Sequence, residues 1–288
     1  MKTLEACRSK DSSLGDRAKV RLQGAQGEPL FVANWDEVLM IHFTVEPRQL
    51  QRDVPFELDT CEGTAFVTLV AFRLQGMRLA FGGRLTSWIF RPMATHDFLN
   101  VRTYVRVEEE VGIHFLAEWV SNRLAVALGP RTFSLPYRLG KFSYHNDWRA
   151  GGLCGRVEDA GTRAAFAYQA DLAVGASFAP CEPGSLDGWL MERYLAFNSV
   201  CGRKRSFRVW HEPWPQCKAR VEISDASLLQ SNWSWFGGAE IVGANYSPGV
   251  SNVWLGWPHG VHHEPPVWTW QNAGAAFHIP VQTRKTCL

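Results

Sequence analysis

A chain of 288 residues, 46% hydrophobic and 20% charged, has the composition of a globular protein with a core large enough to enclose a cavity. Its formal net charge of +2 is too balanced to point to nucleic acid or to an anionic membrane surface. No window approaches ~18 uninterrupted apolar residues, and Met1 to Lys19 lacks the apolar core of a signal peptide, so a cytoplasmic chain without a membrane span is expected.

Residues 1 to 28 are polar and rich in Gly, Gln and Ser, which predicts a flexible lead-in. Residues 29 to 288 read as a single domain with a Trp-rich C-terminal segment. From Phe31 the pattern becomes strand-like: Leu39, Ile41, Phe43 and Val45 alternate with Met40, His42 and Thr44. Pro47 opens a short helix that Pro55 ends. Thr64 to Phe72 is apolar on both faces, as a strand buried from both sides must be.

Asn100 to Val107 alternates again, with Val101, Thr103, Val105 and Val107 on one face and Asn100, Arg102, Tyr104 and Arg106 on the other. Gly112 to Trp119 places Ile113, Phe115, Ala117 and Trp119 on an apolar face. A hairpin pairing Val107 with Ile113 keeps the apolar faces together. That register sets Arg102 opposite Glu118 and Arg106 opposite His114, putting a cation, an acid and an imidazole on one polar face.

Further along, Ser121 to Leu128 reads as a short helix capped by Ser121 and stopped by Gly129-Pro130. A longer helix is expected from Leu186 to about Phe197, capped by Ser185, with Arg193 on its apolar face. Beyond Arg203 come short strands and Gly/Pro/Trp-rich loops. Eight of the 13 tryptophans fall between Trp210 and Trp270, read mainly as core packing. Seven cysteines at irregular spacing, with no Cys-x-x-Cys pair, fit reduced thiols and suggest neither a zinc ribbon nor a redox motif.

Four ordered runs resemble one family: Asn100-Val-Arg-Thr-Tyr-Val105, Leu135-Pro-Tyr137, Glu192-Arg-Tyr194 and His211-Glu-Pro-Trp-Pro215. Their order and spacing are similar to the YqjF-like family, a domain of unknown function within the acetoacetate-decarboxylase-like superfamily. The resemblance implies a mostly β (α+β) fold, an antiparallel closed cone or barrel with a few flanking helices and a ligand-holding interior. The strand pattern alone would equally suit a β-sandwich. The decarboxylase's Schiff-base lysine corresponds to Tyr137, and its neighbouring lysine to Arg138. A phenol forms no imine, so that chemistry is absent there. An acid that relatives often carry two residues before the asparagine is Phe98 here, with Asp97 on the opposite face.

These residues define the candidate site: Arg102 as an anion-binding fork, Tyr137 as a hydrogen-bond donor or general acid, Tyr104 nearby, Glu118 as the expected partner of Arg102, and His211 held by a stiff Pro-Trp-Pro turn. No catalytic residue is assigned. The expected ligand is a small organic acid or oxo compound, with any catalysis of acid/base rather than Schiff-base type. One alternative is a non-enzymatic ligand sensor or interaction protein using an aromatic C-terminal surface. Another is a decarboxylase or aldolase using Lys141. Arg193 reads as structural, and the run of His259, His262 and His263 as a solvated loop. The basic cluster Arg203-Lys204-Arg205 with Arg208 reads as a solvated turn. No cofactor, metal, nucleic acid or membrane partner is expected, and a homo-oligomer is compatible with the chain.

Overall fold

Thirteen strands form one large mixed sheet in the computed structural model of the chain, which describes residues 14–24 and 28–261. In chain order they are β1 (Phe31–Val45), β2 (Glu57–Leu58), β3 (Ala65–Leu79), β4 (His96–Val107), β5 (Glu110–Val120), β6 (Tyr137–Asp147), β7 (Gly152–Asp159), β8 (Ala165–Leu172), β9 (Leu195–Val200), β10 (Arg203–Trp210), β11 (Cys217–Asp225), β12 (Glu240–Leu255) and β13 (His259–Gly260). The spatial order is β13-β10-β9-β5-β6-β7-β8-β11-β12-β1-β3-β4-β2, and β4 also pairs with β5, and β10 with β12. The ladder therefore returns on itself twice. The expectation of a wholly antiparallel sheet is corrected at two places: β5 runs parallel to β6 and to β9.

The returning order gives β1, β3, β4 and β5 two buried faces, and side chains alternate between them. On one face Leu39, Ile41, Val67, Leu69, Leu99, Val101, Ala117 and Trp119 pack against Leu153, Val157, Phe166 and Tyr168 of β7 and β8. On the other, Met40, Val70, Phe72, Phe98, Tyr104 and Ile113 face Leu190, Ala196, Phe207 and Val209. Each buried aliphatic side chain contributes roughly 1.5–3 kcal/mol.

The hairpin of β4 and β5 forms, but not in the expected register. Its turn is only Glu108–Glu109, with Glu108 in the left-handed region at φ 56, so Val107 pairs with Glu110. Further on, Val101 pairs with Ala117 and Arg102 with Phe115, leaving Leu116 without a place in the ladder. This bulge flips the alternation of β5. Glu118 thus joins Ile113 and Phe115 on one face, while His114 lies on the other, against Phe56. Asn100, not Arg102, is opposite Glu118, and Arg106 is opposite Val111 rather than His114.

The helices are α1 (Leu14–Gly24), α2 (Pro47–Leu50), α3 (Gly83–Phe90), α4 (Arg123–Phe133), α5 (Leu186–Met191) and α6 (Ser227–Gln230). α1 lies within the stretch expected to be a flexible lead-in; its Ala18 and Leu22 are buried against Tyr194 and Trp210. The cap of α4 is Asn122, whose side chain accepts from Leu124 N and Ala125 N, not Ser121. α4 also runs through Gly129-Pro130 to buried Phe133, whose ring lies 5.1 Å from that of Phe207. Ser185 caps α5 as expected, but α5 stops at Met191, and Leu195 to Val200 is strand β9. The apolar spacing there fits both states; pairing with β10 decides it. Cys154, Cys181, Cys201 and Cys217 are free thiols, whereas Cys61 is disulfide-bonded, against the expectation of reduced cysteines throughout. Among the described residues no helix is long and apolar enough to cross a membrane.

Candidate functional site

The second face of β1, β3, β4 and β5 lines a cavity of about 80 Å³. Most of its wall is apolar, including Val38, Met40, Val70, Phe72, Phe98, Ile113 and Val209. All four sequence runs that carried the resemblance meet here. They supply Asn100 and Arg102, Leu135 and Tyr137, Arg193, and His211 and Trp214, joined by Trp35 of β1 and Glu118 of β5. Of ten buried polar side-chain atoms without a hydrogen-bond partner among the described residues, six belong to this wall: Trp35 Nε1, Asn100 Oδ1, Arg102 Nε, Glu118 Oε2, Arg193 Nη2 and Trp214 Nε1. Native proteins leave few buried polar groups unpaired, so such a concentration singles out this wall as the candidate site.

Asn100, Glu118 and Tyr137 form a row across β4, β5 and β6, each directly opposite the next. The Glu118 backbone N–H donates to the Pro136 carbonyl at 3.2 Å, which locks β6 beside β5. Gly129 of α4 is required by this arrangement: a Cβ there would come within 2.4 Å of the Tyr137 ring. Phe98 meets the same ring edge-on at 5.9 Å. Glu118 is 3% exposed, and burial alone raises its pKa well above the usual carboxylate range. The Tyr137 phenol is pushed up by burial and then by the neighbouring Glu118.

Arg102 is buried, and its Nη2 donates to the Leu190 carbonyl at 3.1 Å. Among the described residues no carboxylate lies within ion-pair distance of it, so the expected Arg102–Glu118 pair is absent. Tyr104 was expected beside the ligand. It is instead fully buried behind the wall: its hydroxyl donates to the same Leu190 carbonyl at 2.8 Å and lies 2.6 Å from Thr68 Oγ1. It braces the last turn of α5, whose Leu190 carbonyl also holds Arg102.

Arg193, expected to be structural, does two jobs. Its Nη1 pairs with Asp59 at 2.9 Å and its Nε donates to the Trp189 carbonyl at 2.8 Å, while Nη2 is left without a protein acceptor. The guanidinium also stacks over Trp189 at 4.2 Å and Tyr104 at 5.0 Å. Arg193 and Leu195 line a second hollow of about 130 Å³ beside α1, edged by Arg21, Arg208, Glu110 and Glu192.

His211 is buried, with its ring 4.8 Å from Tyr194 and 4.6 Å from Trp214. Nδ1 lies 2.8 Å from the Glu212 carbonyl, which only accepts, so Nδ1 carries the proton and Nε2 the lone pair. Burial lowers the His211 pKa, favouring the neutral ring.

Other candidates lie elsewhere. Lys141 is exposed on β6, 3.9 Å from Glu158, and is no part of the cavity wall, which removes the support for a lysine-based Schiff base. Asp97 pairs with Arg73 at 2.8 Å. His259 pairs with Glu28 at 3.0 Å, and His262 and His263 lie outside the described residues. Among the described residues no three His, Cys, Asp or Glu side chains gather as a metal site would need. Trp210, Trp214, Trp233 and Trp235 are buried, so the aromatic C-terminal region is largely core, although Trp268 and Trp270 lie outside the described residues. Sequence reasoning missed Trp35, Asn100, Arg193 and Trp214 as wall residues. Three of them stand inside the quoted runs, which was the available signal.

Comparison with known proteins sets these features in a family. Residues 32–250 match the model for DUF2071, described as an uncharacterised conserved protein. The uncharacterised protein YqjF of Bacillus subtilis (strain 168) is 32% identical over 193 residues, covering 66% of this chain and 76% of that protein. Among solved structures, acetoacetate decarboxylase from Legionella pneumophila superposes with a TM-score of 0.57 at 13% identity, covering 81% of this chain and 87% of that one. The enduracididine biosynthesis enzyme MppR complexed with pyruvate gives 0.55 at 14% identity, covering 83% and 93%. At such identities the likeness is one of fold.

Proposed function

The chain belongs to the DUF2071 family of uncharacterised conserved proteins, and from that premise we propose that its cavity binds a short organic monocarboxylate carrying an oxo group. One observation bears most of the weight: Arg102 is a buried guanidinium with a free Nε and no carboxylate partner among the described residues. A buried unpaired charge costs several kcal/mol, and a ligand carboxylate offsets that cost.

Charge balance selects a monoanion. Arg193 shares Asp59 with the half-exposed, solvated Arg106, and Glu118 favours its uncharged form, so the Arg102 charge facing the cavity is the unmatched one. A second ligand carboxylate would meet Asn100 Oδ1 and Glu118, which is unfavourable. An oxo oxygen suits that end, where the Tyr137 hydroxyl and a proton-bearing Glu118 carboxyl are donors. The apolar wall accepts a short aliphatic chain. The returning strand order and the likeness to acetoacetate decarboxylase favour reading this interior as the enclosed cone of that fold, and a protein of similar fold is known with pyruvate, itself a short oxo acid. The reading calls for no cofactor.

The test is thermal unfolding with 2-oxobutanoate, 2-butanone and 2-oxoglutarate. At ~100 Kd a ligand adds about 2.7 kcal/mol, or roughly 5 °C in a domain of this size. Only the oxo monocarboxylate is expected to give that shift, and Arg102→Met, folded by circular dichroism, is expected to lose it. Equal shifts in both proteins, or a shift with the neutral ketone alone, would refute the reading.

A further inference from the structure

We propose that the cavity is an enolising site, in which Glu118 protonates the oxo oxygen of the bound acid while His211 removes a proton from the adjacent carbon. This rests on the oxo-acid reading above and adds a reaction to it. Glu118 is nine-tenths buried or better, its Oε2 has no hydrogen-bond partner, and no cation pairs with it among the described residues. A carboxyl in that setting holds its proton and needs an acceptor. The wall gives it none, and a ligand oxo group would.

The complementary base stands in the same wall. The Nδ1 proton of His211 is committed to the Glu212 carbonyl, so the free ring nitrogen is the basic one. Tyr194 and Trp214 pack on the ring and fix its plane. A neutral acid and a neutral base facing one small cavity are the pair that keto–enol exchange needs.

The step balances without an external reagent. A C–H bond next to the oxo carbon breaks and its proton passes to His211 Nε2. The released electron pair forms the carbon–carbon double bond, and the carbonyl π pair takes the Glu118 proton to give the enol hydroxyl. Glu118 becomes a carboxylate and His211 an imidazolium, so net charge is conserved. Tyr137 is the second donor to the developing enolate oxygen. Arg102 holds the carboxylate and fixes which carbon faces the base. Reversal returns the oxo acid, carrying solvent hydrogen at that carbon.

The experiment follows proton NMR of 2-oxobutanoate in D₂O, reading loss of the C3 proton signal. The wild-type protein is expected to accelerate exchange at least 10²-fold over buffer, within the ~10²–10⁴ range of positioned acid–base groups. Glu118→Gln and His211→Gln are each expected to lower the enzyme-dependent rate at saturating 2-oxobutanoate at least 10²-fold. Undiminished exchange in Glu118→Gln overturns the assignment of the acid, whatever the folding of the histidine variant. A wild type that is stabilised by 2-oxobutanoate yet exchanges at the buffer rate overturns enolisation, leaves the binding reading intact and identifies a ligand sensor. A wild type showing neither stabilisation nor exchange overturns both.

Discussion

The two faces of β4 are built for opposite purposes. Leu99, Val101 and Val105 point into a core where the neighbouring polar groups of β4 and β5 are matched: Thr103 donates to the Phe66 carbonyl at 2.8 Å, and Trp119 of β5 donates to Asp159 at 2.8 Å. Phe98, Asn100 and Arg102, one residue out of step, line a cavity where polar atoms go unmatched. The same strand therefore stabilises through one face and accepts strain on the other. Unmatched polar groups at a cost in stability are what a binding site requires, and the dry face supplies the margin.

Mutations on the two faces should differ in sign. On the dry face, Trp119→Ala removes a fully buried indole and its bond to Asp159, and a loss of about 3–5 kcal/mol is expected by denaturant unfolding. Paired and unpaired arginines should also part. Arg193→Met breaks a buried ion pair and leaves Asp59 only its half-exposed partner Arg106, which should cost about 2 kcal/mol, whereas Arg102→Met removes a charge that has no protein counter-ion among the described residues and should be neutral or stabilising. A comparable loss in both variants would mean that Arg102 has a structural role.

A smaller effect is expected from Glu118→Gln, and it depends on pH. The folded-state pKa of Glu118 is raised, so below its ordinary value of about 4.5 the carboxyl is protonated in both states and imposes no penalty. As pH rises above that value the unfolded chain ionises first and stability is lost. Glu118→Gln should therefore melt above the wild type at pH 8, with the difference vanishing near pH 4. A difference constant with pH would show that Glu118 is charged in the folded protein.

Much of this was legible in the sequence because it is local. Period-two alternation marked β1, β4 and β5, and unbroken apolarity marked β3 as buried on both sides. The four family runs named residues that do meet in one cavity. What was not legible depended on tertiary pairing. One bulge at Leu116 left Glu118 on the face of Arg102, where alternation had put it, but brought Ile113 and Phe115 to that face and sent His114 to the other, which no alternation rule reveals. The stretch from Leu186 to Phe197 carries spacing compatible with one long helix, yet the pairing of β9 with β10 ends the helix at Met191 and frees Arg193 to reach both Asp59 and the cavity. Tyr104 belongs to the expected strand face but lies just behind the wall, because Leu190 covers its hydroxyl.

The most direct measurement is a crystal structure of the protein with 2-oxobutanoate. The carboxylate is predicted within hydrogen-bond distance of Arg102 Nε, with the oxo oxygen toward Glu118 and Tyr137. A ligand lying outside the cavity, or bound with its carboxylate against Glu118 and Asn100, would contradict the assignment of Arg102 as the anion-binding group.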